Sequence, residues 1–197
     1  MRKSVAVFEV AVLLMAIAVL ATAQKKKAEM SDAQYRAQAL SAAPAAIAKE
    51  AAIVRMDADG KPRTLREGKN GFTCMIIGGN KMCGDANSME FFDAVMKHQP
   101  PPDKLGLSYM LAGDDGASNT DPSAMKKTKD NHWIVTGPHI MVTGAASKSL
   151  GYTEAADPDP NMPYMMWAGT PYEHAMIPVG AAKPAAAAKP MAPAAKQ

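Results

Sequence analysis

Apolar residues fall into three kinds of run along this chain, and each kind predicts a different element. The first is continuous. Arg2 and Lys3 precede an apolar stretch that Glu9 interrupts, leaving about 11 unbroken residues at 10–20, and Ala21-Thr22-Ala23 then stands before Gln24. A basic start, a short apolar run and an A-x-A site are the pattern of a secretory signal peptide. The run is short for a membrane span, which needs about 20 residues, so the alternative of an uncleaved N-terminal anchor fits the length less well. The expected layout is a signal peptide at 1–23, a basic mature N-terminus at 24–30, one folded domain at 31–180 and an Ala/Pro/Lys tail at 181–197.

The second kind of run has helical spacing. Ser31 and Gln34 form a capping-box pattern ahead of DAQYRAQAL, which predicts a helix over 32–42 that ends at Pro44. Asn87-Ser-Met-Glu90 repeats the pattern, and Met89, Phe92, Val95 and Met96 recur on one face, predicting an amphipathic helix over 88–98 before Pro100, Pro101 and Pro102.

The third kind is short and rich in β-formers. AAIVRMD and KPRTLREG flank the turn residues Asp57-Ala-Asp-Gly60 and predict a hairpin that leads into FTCMII. GLSYMLAG reads as a buried strand, and the polar stretch 114–131 as a long loop. HWIVTGPHIMVTG and YMMWAGTPYEHAMIPV close the domain, each broken by a Gly/Pro pair into two extended pieces. Strands without regular β-α alternation predict an α+β domain on a mainly antiparallel sheet with two or three helices.

Charge removes one class of partner. The net charge of +3 is carried by the ends: residues 28–182 hold 14 basic against 18 acidic side chains. No basic stripe interleaves with aromatics, so nucleic-acid binding has no electrostatic support. After signal cleavage no segment is expected to insert stably in a membrane, and periplasmic or secreted location follows from the signal pattern. In that oxidising setting Cys74 and Cys83, separated by a Gly78-Gly79-Asn80 turn, are expected to form a disulfide across a tight loop.

The chemistry worth testing lies in the closing strands. His139-Ile-Met141 and His174-Ala-Met176 each put an imidazole and a thioether on one face of a strand. If the strands adjoin, the four side chains are suited to Cu(I), and 14 methionines in the 174 residues after position 23 favour the idea. The competing reading is packing, because methionine also fills irregular cores. Asp114, Asp115, Asn119 and Asp121, or Asp157, Asp159 and Asn161, offer oxygen ligands, yet neither set has the order of an EF-hand loop and both suit turns. No nucleophile elbow, phosphate loop, H-E-x-x-H or C-x-x-C is present.

The blocks NGFTC, LSYMLAGDDGASNTDP, WIVTGPHIMV and YMMWAGTPYEHAMIPV together resemble an uncharacterised family of exported bacterial proteins, over about residues 47–179. That resemblance implies a bacterial source and export, and carries no activity or fold. The family's loop between the cysteines is longer and richer in Asp and Pro than IIGGNKM here. Three functions follow: a binding or structural module that is not an enzyme, a periplasmic copper-binding protein using His139, Met141, His174 and Met176, and a small hydrolase built on one of those histidines.

Overall fold

The computed structural model describes residues 30–181; the predicted signal peptide and nearly all of the basic N-terminus and the tail lie outside them. The chain forms α1 (Asp32–Leu40), α2 (Ala45–Ala48), β1 (Ala52–Met56), β2 (Pro62–Arg66), β3 (Phe72–Ile77), β4 (Asn80–Asp85) and α3 (Ala86–Met96). It continues with β5 (Gly106–Met110), β6 (Ala117–Ser118), β7 (Trp133–Ile134), β8 (His139–Thr143), a 3-10 helix (Ala145–Leu150), β9 (Tyr164–Met166) and β10 (His174–Pro178). The domain is α+β: eight strands form one sheet in the order β2-β1-β3-β4-β5-β8-β10-β9, with β6 and β7 paired separately. Within this sheet β1 and β3 pair parallel and every other neighbouring pair is antiparallel.

The structure departs from the sequence reading in the stretch between the cysteines. The expected tight loop is instead a β3–β4 hairpin turning at Gly78 and Gly79, with Cys74 directly opposite Cys83. The disulfide forms there, its Cα atoms 4.0 Å apart. Helix α3 starts at Ala86 because Asp85, not Asn87, is its N-cap: the Asp85 carboxylate accepts from the Ser88 N–H at 2.8 Å and, from the neighbouring strand, the Leu107 N–H at 2.9 Å. Met96, expected on the apolar face, is exposed, while Phe91 and Ala94 are buried.

Alternation along the strands decides which face holds the core. In β5 and β8 every second residue is buried, so Ser108 and Met110, and likewise His139, Met141 and Thr143, share one face. Helix α3 lies on that face. It approaches closely because Gly84 and Gly106 lack side chains: a Cβ at either would overlap Ser88, and at Gly106 it would meet the helix backbone itself.

Candidate metal centre

Strands β8 and β10 are neighbours and antiparallel, with Met141 directly opposite Met176. Two residues back along each strand stand His139 and His174, so all four predicted residues occupy one face of adjacent strands. Antiparallel running places the histidines at opposite ends of the methionine pair. The four therefore form a diagonal row, His139, Met141, Met176, His174, with the outer Cα atoms roughly 14 Å apart from strand rise and spacing.

The row lines a cavity of about 200 Å³. Three further methionines complete its thioether wall: Met82, Met110 and Met166. Met110 pairs across the ladder with His139, and Met166 with His174. Sequence reasoning missed both because it sought pairs within a strand, although each lies in a Met-x-Ala-Gly block that occurs twice. The five methionines are all less than a tenth exposed, and with Ile134, Tyr164 and Trp167 they form one core cluster.

Both imidazoles are fully buried and held in the same way. His139 Nδ1 lies 2.7 Å from the Gly137 carbonyl and His174 Nδ1 2.9 Å from the Tyr172 carbonyl. A carbonyl only accepts, so each Nδ1 carries the proton and donates it, which makes each Nε2 the lone-pair nitrogen. Among the described residues His139 Nε2 has no hydrogen-bond partner. Burial holds His174 down to about 4 despite the Tyr172 carbonyl, with the neighbouring His139 adding to the depression, and burial lowers His139 as well. Both rings are neutral at ordinary pH.

The surroundings differ at the two ends. His174 sits among rings, 4.9 Å from Trp167, 5.6 Å from Phe91 and 6.1 Å from Phe92 between centroids. His139 instead neighbours Asp114, whose carboxyl is pushed up by burial while its Oδ1 accepts the Thr136 and Gly116 N–H groups at 2.9 Å. Neither histidine hydrogen-bonds a hydroxyl or a carboxylate among the described residues, so no nucleophile and base pair of the hydrolase kind is formed there.

Among the described residues no group of three or more His, Cys, Asp and Glu gathers around a point, so the site rests on thioethers with imidazole. The acidic loops do turn work. Asp121 accepts the Ser123 N–H and Asp159 the Asn161 N–H, while Asn119 donates to the Ala155 carbonyl. His132 pairs with Asp157 at the surface, and His98 follows the C-terminus of α3. No family model matches this chain, and neither does any curated protein or any solved structure.

Proposed function

We propose that this is an exported binding protein that holds Cu(I) in the cavity between its sheet and α3, through imidazole Nε2 atoms and methionine sulfurs. The observation that carries the reading is His139: a fully buried imidazole whose Nδ1–H is fixed on Gly137 and whose Nε2 is left without a partner beside a wall of thioethers. An unpaired buried polar atom is costly, and a soft cation supplies what it lacks. Fixing the far ring nitrogen on a carbonyl is also how metal-ligating histidines are ordinarily oriented.

Export fits the same chemistry. The signal pattern leads to an oxidising compartment, the two cysteines are joined to each other, and thioether and imidazole are then the soft donors left. Among the described residues no helix is long and apolar enough to cross a membrane.

Competitive titration tests the proposal. The disulfide-bonded protein, kept anaerobic, should withdraw Cu(I) from bicinchoninate, and Met141→Leu with Met176→Leu should weaken it by about tenfold or more while the fold is retained. Failure to compete at any protein excess, or full affinity in the double variant, would return the row to core packing.

A further inference from the structure

The cavity wall is built from one antiparallel strand-pair pattern used twice, once across the long β5–β8 connection and once across the short β9–β10 one. Residues 108–113 read SYMLAG and 164–169 read YMMWAG. Each places a methionine on the cavity face, Met110 or Met166, and turns at a glycine in the left-handed region, Gly113 at φ 72° or Gly169 at φ 75°. The strand that pairs with it carries His-x-Met, and in both pairs the first strand's methionine stands opposite the second strand's histidine. Because Met141 faces Met176, a local two-fold axis between them exchanges His139 with His174 and Met110 with Met166.

The consequence is a division of ligands. Each histidine has one methionine about 5 Å across the ladder and another about 7 Å along its own strand, both on its own face. Its counterpart is roughly 14 Å away by Cα, and each ring is tied to a carbonyl two residues behind it, on the side away from the methionine pair. One ion reaches a histidine and its two methionines without drawing in the other imidazole.

Resting on the Cu(I) reading above, we infer that the cavity holds two ions: one on His139, Met110 and Met141, the other on His174, Met166 and Met176 beneath the Trp167 indole. Trp167 stands where the first strand pair has Leu111, and its backbone is left-handed at φ 57°, a conformation that a bulky residue rarely adopts. The residue is held there by its N–H on the Asn119 carbonyl at 2.9 Å and its Nε1–H on the Ser118 carbonyl at 2.8 Å. An indole face close to a bound cation contributes attraction that leucine cannot. At the other end a carboxyl group, Asp114, stands beside His139 in the cavity lining. The two sites are therefore alike in ligands and different in what surrounds them.

Volume-conserving substitutions test this without emptying the core. The anaerobic, disulfide-bonded protein should take up two equivalents of Cu(I), with Met110→Leu and Met166→Leu each weakening one equivalent by about tenfold or more and leaving the other. In a Trp133→Phe background, indole fluorescence should respond only to the ion that Met166→Leu weakens. A single equivalent weakened alike by both substitutions would overturn the two-site arrangement and leave the Cu(I) reading standing. Two equivalents indifferent to both substitutions would overturn the ligand assignment. An unsubstituted protein that binds no Cu(I) would remove both.

Discussion

The two ends of the large sheet are built on opposite terms. At the β2-β1-β3-β4 end, donors and acceptors are matched to one another: Tyr35 accepts the Ile76 N–H and donates to the Val54 carbonyl, both at 2.9 Å, Asp32 joins Arg55 and Arg63, and Cys74 is bonded to Cys83. At the β5-β8-β10-β9 end thioethers and two neutral imidazoles dominate the buried face, and among the described residues His139 Nε2, Ser108 Oγ and Thr143 Oγ1 find no hydrogen-bond partner. One end is closed by its own chemistry. The other keeps soft donor atoms available at some cost in stability, as expected of a binding site on a rigid scaffold.

Acid should separate the two ends most clearly. His139 and His174 have pKa values below the unfolded value of about 6.5, so above that pH they are neutral in both states and contribute no dependence. As pH falls, the unfolded chain takes up protons first, and the metal-free protein should lose on the order of 3 kcal/mol between about pH 6.5 and 4 from His174 alone. At the other end the Arg63 hydrogen bond holds Asp32 down to about 2, so its contribution persists until the pH falls below the usual carboxylate range and disappears towards 2. Urea melts across this range should show the first loss abolished in His174→Gln and the second in Asp32→Asn. A single transition unaffected by either substitution would merge the two ends into one.

Opening the disulfide acts on the closed end alone. A bridge closing a loop of about 10 residues contributes roughly 2 to 3 kcal/mol in the chain-entropy model, so Cys74→Ala with Cys83→Ala should lower the thermal midpoint by that equivalent. Cu(I) affinity, measured on the folded variant, should stay within about twofold, since strand alternation turns Cys83 to the face opposite Met82, where its sulfur meets the Ala39 carbonyl of α1. A large loss of affinity would show that the bridge also shapes the cavity.

Gly106→Ala probes the cavity end by packing. The new methyl meets the α3 backbone at Ser88, and overpacking of this kind costs about 1 to 3 kcal/mol. Because α3 carries Phe92 into the cavity wall, metal affinity should fall with stability, unlike in the disulfide variant. The smallest effect belongs to the exposed ion pairs: Arg63→Ala should leave the urea midpoint nearly unchanged at neutral pH.

Legibility in the sequence follows the same contrast. The α+β class, the β1–β2 hairpin, the disulfide and both long helices could be read because their signals are local: turn residues, caps and periodicity. Strand β4 escaped because NKMCGD has few β-formers; its pairing is set by the hairpin turn and by Gly84, whose missing side chain makes room for Ser88. Strands β6 and β7 are two residues each, too short for a periodic signal. The helix start moved from Asn87 to Asp85 because two Asx residues competed for one cap and Leu107, distant in sequence, favoured the aspartate. His139, Met141, His174 and Met176 were visible as strand pairs, but no local pattern encodes the order β5-β8-β10-β9 that brings Met110 and Met166 beside them.

The most direct test of the central claim is X-ray absorption at the copper edge of the Cu(I)-loaded, disulfide-bonded protein. Sulfur at about 2.3 Å should appear together with nitrogen at about 2.0 Å, in a ratio of two to one. In His139→Ala or His174→Ala, provided circular dichroism shows the fold intact, the nitrogen contribution per bound copper should fall or the bound copper should halve. A shell of nitrogen and oxygen without sulfur, or a spectrum and a copper content both unchanged in the two variants, would contradict this.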